Sequence, residues 1–521
     1  MVDTPTPVRR TPLLGLLLTI PALLLLCSGY VVPTVRLFWT SLHNARFLKE
    51  NSEFIGLENY GHLDRFYGSG TLVAVGLGLA AAAVAIVVGG GIAFLAHRSG
   101  RVGRRLVWIG FALPLSALAS SAVAVAWFLT LTGDSARTYF EHPVAGNFVV
   151  ALLAAFGLLS GIGAVAYLLV LRAGRRVAVT GGLVALILGA SSIALVLQSA
   201  AFPLLLRSPR DDAPPVLQIY TEAFQTARFG LAAAGSVVLL VVLAILGVLV
   251  TAAVVAMQAR LVRVENAESG SKPGWTVATA VVGGGVLLFG LLGLGPWLLR
   301  LADFGELPDG VAGPIFFTWA PPLVSTVVGV GAAVLAGFGI GGLRPLGTRS
   351  HLLLLPFAPW LFVGLAPLMV DAYAHLWRPD GSDNVALAFL RAIPPSSLSI
   401  PALVLSAVLF RGLSTQDRPW RAWRTAAPTI GLVALVTWVV QAQDLLWTLL
   451  VTVDADYGSL PYWAVRQTSQ YAFSRDMDSM VGWMYPIPGW LLVAAAVAVV
   501  GVFVLDRLAL HTGPEEQPPV A

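Results

Sequence analysis

The chain has 521 residues; 57% are hydrophobic and only 11% charged, against about 25% in an ordinary soluble domain. So little charge cannot cover a soluble protein of this length, which excludes a soluble enzyme, a disordered chain and a nucleic-acid binder, and leaves a polytopic membrane protein. The net charge is +5, the basic residues are Arg apart from Lys49 and Lys272, and the single cysteine, Cys27, excludes an intramolecular disulfide and a Cys metal site.

A bilayer core takes about 20 apolar residues per helix. Arg9 and Arg10 precede the first apolar run as in a signal peptide. That run continues to Trp39 with no small-residue cleavage site after it, so it reads as a retained first span. In chain order the expected spans are 12–35, 71–96, 106–132, 148–171, 177–206, 229–257, 275–299, 317–342, 351–376, 397–411, 425–453 and 486–506. Pro21, Pro114 and Pro359 fall inside them, which is tolerated where neighbouring helices satisfy the freed backbone groups.

Sorting the charges with the N-terminus inside puts 19 basic and 7 acidic residues on the inner side, and 13 basic and 20 acidic on the outer side. The excess of Arg on the inner side predicts cytoplasmic N- and C-termini in a plasma (inner) membrane and favours an even number of spans. The long polar inner segment 258–274 then divides the chain into halves of six spans, 1–257 and 275–521. Six spans per half keep both halves in one orientation, so the expected fold class is an all-α polytopic membrane protein of about twelve helices in two parallel halves. Parallel repeats place a pathway between the halves.

Enzyme motifs are sparse. There is no GxxxxGK[ST] and no HExxH, and the seven His are scattered. A GxGxxG at Gly337, Gly339 and Gly342 lies within an apolar helix. Ala333, Gly337 and Gly341 there, and Ala81, Ala85 and Gly89 in the second span, form small-residue faces for close helix packing.

Polar residues within spans are candidates for a pathway. Gln441, Gln443 and Asp444 cluster in the eleventh span between Trp438 and Trp447. Asp444 suits either a pathway or a position wetted by the outer loop. Gln198 in the fifth span suits either a ligand or a neighbouring helix, and Asp371 and His375 suit a mutual pair or an interface cap. Aromatic rings beside amides and a carboxylate fit a sugar, with its apolar CH faces and its hydroxyls.

Several stretches resemble permeases of carbohydrate ABC importers, the binding-protein-dependent inner-membrane component family. Phe54-Ile55-Gly56-Leu57-Glu58-Asn59-Tyr60, after Trp39-Thr40-Ser41-Leu42, is similar to that family's F-x-G-L-x-N-Y outer segment. Leu113-Pro114-Leu115-Ser116 with Ala126-Trp127 resembles its third span. Leu197-Gln198-Ser199, Ile219-Tyr220, Ala223-Phe224 and Phe229-Gly230-Leu231 resemble the approach to its last span. In the second half, Gln443-Asp444-Leu445-Leu446-Trp447 stands where the partner subunit has a W-N-[DE]-F-like stretch, followed by Leu460-Pro461 and Gln470-Tyr471. The chain therefore looks like a fusion of the two paired permease subunits. One departure is the cytoplasmic EAA loop, which docks the ATPase in that family: neither Arg172–Arg176 nor 412–424 contains it, and Arg207-Ser208-Pro209 replaces the outer GGP.

The resemblance implies a permease that imports a sugar or oligosaccharide. It binds no cofactor itself and has no catalytic residue; ATP is hydrolysed by a separate subunit, and an extracytoplasmic binding protein delivers the substrate. Gln198, Gln441, Gln443, Asp444 and Trp447 are the pathway candidates. Trp420, Arg421, Trp423 and Arg424 are the ATPase-docking candidates. The alternative is a degenerate permease-like protein with a partner, sensor or assembly role. A membrane enzyme acting on lipid-linked sugars would need an acidic pair such as Asp211-Asp212 or Asp454 and Asp456.

Overall fold

The computed structural model describes residues 12–46, 52–131, 143–206, 212–264, 272–301, 310–376, 384–414, 419–452, 454–470 and 477–514. Nine helices among the described residues are long and apolar enough to cross a membrane, or ten if a bent pair counts as one span. The first half contributes α1 (Pro12–Ser41), α2 (Ser69–Arg98), the bent pair α3 (Gly100–Ser116) and α4 (Ser120–Leu131), α5 (Pro143–Ala173), α6 (Val177–Leu197), a short α7 (Ala201–Leu205) and α8 (Phe229–Ala256). The second contributes α9 (Pro273–Gly293), α10 (Ala312–Leu343), α11 (Ile400–Leu413), α12 (Arg421–Ala442), α13 (Leu445–Val451) and α14 (Ile487–Phe503).

Two expected spans take another form. Residues 351–376 are not one α-helix: a 3₁₀ segment, Gly347–Trp360, gives way to a short 3₁₀ turn at Ala366–Leu368 and a six-residue helix, Met369–Ala374. Pro356 and Pro359 lie three apart within it, and each removes a backbone donor that an α-helix needs. The expected span 397–411 is α11, 14 residues long, or roughly 21 Å, short of the ~30 Å hydrocarbon core. A third departure is a strand pair. β1 (Arg260–Arg263) pairs antiparallel with β2 (Leu508–His511), Arg260 opposite His511 and Arg263 opposite Leu508. Leu261, Leu508 and Ala509 are buried in this pair, and each strand satisfies its backbone on the other.

Segments expected on the inner side meet at one end of the bundle. Gly15 of α1 lies against Pro345, Arg344 Nη2 donates to the Arg411 carbonyl at 2.7 Å, and β1 packs on α11. Arg104 and Arg172 converge on Asp506 at 2.8 and 3.1 Å. Segments expected outside meet at the other end. Asn59, within the family-like FIGLENY stretch, donates Nδ2 to the carbonyls of Ser41 and His43 at 2.7 and 3.1 Å. There too Phe224 meets Tyr373 edge to face, ring centroids 4.9 Å apart.

The halves interlock. Tyr30 of α1 donates to the Leu398 carbonyl at 2.9 Å, and Trp490 of α14 donates to the Leu113 carbonyl at 3.3 Å. Small residues let helices approach closely, as the sequence predicts. Gly89 lies on Gly163 and Ala164, and Gly337 and Gly341 lie on Ser406 and Ala407.

Candidate functional site at the junction of the halves

The third expected span of each half is broken. In the first half α3 and α4 meet at 73° across residues 117–119, and in the second the chain leaves helical geometry between Trp360 and Ala366. A break at membrane depth frees backbone groups that must find protein partners. Each break finds some of them in the opposite half.

At the first break, Tyr485 donates to the Ser116 carbonyl at 3.1 Å, and Ser121 Oγ donates to the Gln443 carbonyl at 2.6 Å. At the second, Gln198 Nε2 donates to the Phe362 carbonyl at 2.8 Å while its Oε1 accepts from Gly364 N at 2.8 Å. Gln198 and Gln443 hold matching positions. Each is the residue that ends a long helix, α6 or α12, with φ/ψ of −99°/1° and −96°/6°. A short helix follows each, α7 after Gln198 and α13 after Gln443.

The remaining pathway candidates gather around Gln443. Gln441 Oε1 accepts from Thr326 Oγ1 at 3.1 Å. Asp444 caps α13, its Oδ1 accepting from Leu446 N at 3.0 Å. Trp447 is buried and donates Nε1 to the Arg391 carbonyl at 3.1 Å. Gln443 is 1% exposed; its Nε2 donates to the Met484 carbonyl at 2.9 Å, and its Oε1 is buried without a protein donor. Trp438 packs on Trp319, ring centroids 5.4 Å apart, and donates to that residue's carbonyl. Tyr485 lies 6.1 Å from both Trp319 and Trp297. Gln198 shares no hydrogen-bond partner with this cluster, so the structure divides the pathway candidates between the two junctions. Sequence reasoning missed Ser121, Thr326 and Tyr485, which read as ordinary span residues until the break is known.

Gln198→Leu tests the second junction. It leaves the Phe362 carbonyl and Gly364 N–H without their side-chain partner, an expected loss of ~1–3 kcal/mol. A thermal unfolding midpoint equal to that of the unchanged protein would assign Gln198 no part in closing the break.

The docking candidates are placed unequally. Trp420 is 58% exposed, and Arg421 and Arg424 are exposed. Trp423 is turned inward, 5.2 Å from the Phe338 ring and 5.0 Å from Phe410. The first-half loop is engaged by the C-terminal segment: Arg172 binds Asp506, and the Arg176 guanidinium lies against Gly513. Asp371 and His375 form the i, i+4 pair, Nδ1 to Oδ1 at 3.1 Å. Of the acidic pairs, Asp454 Oδ1 accepts from Asp456 N at 3.2 Å, and Asp211 lies outside the described residues.

No protein-family model, no curated protein and no solved structure matches the chain. The likeness to ABC permeases therefore rests on the quoted residues and their order.

Proposed function

We propose that the chain is the permease component of a transporter, moving a sugar or oligosaccharide between its halves, with ATP hydrolysed by a separate subunit. The observation that carries this reading is the reciprocal junction. Interrupted spans at corresponding positions of two halves are the best sequence-level pointer to a transporter's binding site, and here a glutamine that ends a long helix within the fifth expected span of each half stands at the broken third span of the other. The buried Oε1 of Gln443 suits a substrate hydroxyl, and Trp319 and Trp438 offer faces for a sugar ring. In this reading the Arg-rich end, with both termini, faces the cytoplasm at the plasma membrane, as the charge asymmetry favours.

A second reading is a permease-like membrane protein with a partner, sensor or assembly role. It is favoured by the cover over the first-half inner loop, where β2 packs on α5 and Arg172 is held by Asp506. An ATPase would then meet the chain mainly through 412–424.

The test is purification of the full-length chain in mild detergent with identification of co-purifying proteins, followed by uptake of labelled mono- and disaccharides. Trp420→Ala is the more informative variant: Trp420 is exposed and loses one ring contact, with Phe338, whereas Trp423→Ala would strip those with both Phe338 and Phe410. An ATP-binding subunit recovered with the unchanged chain and lost with Trp420→Ala supports the permease reading. If no ATPase is recovered and no sugar enters, the non-transport reading replaces it.

A further inference from the structure

Within the first half, α2, α5 and α6 leave a cavity of about 340 Å³ between them, within the range of small-molecule sites. Each helix turns one face to it. On α2 the lining residues Gly70, Ala74, Leu77 and Ala81 recur every three or four positions, and on α5 Asn147, Ala151, Ala155 and Leu158 do the same. Glycine or alanine stands at most of these positions, which leaves the space open. Ser192, Leu195 and Val196 form the wall on α6. The floor is the close contact of Ala85 with Gly163, where α2 and α5 meet.

The depth of this slot is defined. It begins where the expected spans 71–96 and 148–171 begin, at Gly70 and Asn147, and ends at Ala81 and Leu159, close to the middle of each. Residues 147–159 of α5 cover roughly 18 Å, and one leaflet's hydrocarbon is about half of the ~30 Å core. The slot is therefore about as deep as the leaflet at the end expected outside. Leu195, in its wall, is 70% exposed, so the slot also opens sideways to the surface of the bundle.

We propose that the slot holds one acyl chain of a membrane lipid, inserted from that leaflet. Among the described lining residues Asp212 is the only charged one, and it lies at the mouth, where Gly70 meets the backbone of Asp212 and Ala213. The mouth borders there on residues outside the described ones, whereas the deeper part lies between stretches of α2, α5 and α6 that are described throughout. A water in a cavity needs about two to four polar partners. Beyond the mouth the described lining offers the hydroxyls of Ser120, Ser192 and Ser199 against walls of leucine, valine and alanine, too few for water or a sugar to fill it. An empty slot would forfeit the dispersion contacts of those walls. The bilayer supplies alkyl chains along the open side, parallel to the helices and of matching depth. This site does not rest on the transport reading.

The experiment uses the full-length chain in nanodiscs of dioleoylphosphatidylcholine doped with a phosphatidylcholine whose acyl tip carries a diazirine. After irradiation, adducts are mapped by peptide mass spectrometry. Val281 and Leu288 on the exposed face of α9 meet bulk lipid and serve as the internal standard. Ala81 and Ser192 line the depth of the slot and are buried, so bulk lipid does not reach them; adducts there are expected from a chain in the slot. Ala155→Trp and Ala151→Trp fill the slot and should each lower that labelling about tenfold against the α9 standard. Gly431→Trp, on α12 with nothing within 4 Å of a Cβ, should leave it unchanged. A probe with the diazirine near the ester should move the adducts outward to the level of Ala74 and Ala151, a measurement that needs no variant to fold. Labelling of α9 without labelling of Ala81 or Ser192, adducts that stay in place when the diazirine is moved, or slot labelling undiminished in both tryptophan variants overturns the proposal.

Discussion

Asp506→Ala is expected to destabilise the protein by about 3–5 kcal/mol, the usual cost of removing one partner from a buried ion pair. Asp506 lies just beyond α14 and is 5% exposed at its side chain; it meets Arg104 Nε at 2.8 Å and Arg172 Nη1 at 3.1 Å, themselves 8% and 7% exposed. One carboxylate thus joins the last helix to two segments of the first half, and its loss leaves two guanidinium groups close together without it. Three measurements separate charge from packing. Asp506→Asn keeps an acceptor but not the charge and should fall between. Added salt should restore little to Asp506→Ala, because buried charges are weakly screened. Replacing all three residues by apolar ones of similar volume should cost less than Asp506→Ala alone, since no buried charge then remains. An unfolding midpoint for Asp506→Ala within error of the unchanged protein would show that the halves are held at this end without the ion triad.

The helices that hydropathy finds are those in which length and composition agree. The expected 71–96 and 229–257 emerge as Ser69–Arg98 and Phe229–Ala256. Residues 351–376 pass the same count and are not a continuous helix, because hydropathy weighs side chains while Pro356 and Pro359 act through missing backbone donors. The strand pair was out of reach for another reason. Four residues at 260–263 and four at 508–511 carry too little pattern to announce a register, and their pairing exists only once the helices bring them together. Gln198 and Gln443 stood out as amides in apolar surroundings. What they meet did not: Gln198 holds backbone groups of a broken helix, which leave no mark in composition, and Gln443 meets the Ser121 hydroxyl through its backbone carbonyl and the Met484 carbonyl through its amide. Arg104 and Arg172 counted only toward the inner-side charge and Asp506 closes the expected span 486–506, because charge counting assigns a side and not a neighbour. Trp423 looked free to dock because nothing local shows that Phe338 and Phe410 surround it.

Gly163→Leu should separate α2 from α5 and destabilise the protein by at least ~1–3 kcal/mol, the range for overpacking a close contact. A Cβ at Gly163 would run into the backbone of Ala85, and one at Gly89 into Gly163 and Ala164, so both helices carry small residues where they touch. Within a bilayer this matters more than in water. Lipid tails are as apolar as leucine, so helices gain little by hiding apolar surface and associate through close packing and hydrogen bonds. An added leucine side chain is therefore not repaid by burial; it removes the contact that holds the pair. Gly182→Leu is the control. It lies on the neighbouring α6 with nothing within 4 Å of a Cβ, and there a leucine should be neutral or mildly stabilising, since it relieves a helix of a glycine by up to ~1 kcal/mol. The comparison is thermal unfolding of both full-length variants in one detergent. A midpoint for Gly163→Leu as high as that for Gly182→Leu would mean that α2 and α5 part without cost, and that the small-residue face read from Ala81, Ala85 and Gly89 is not what keeps the first half together.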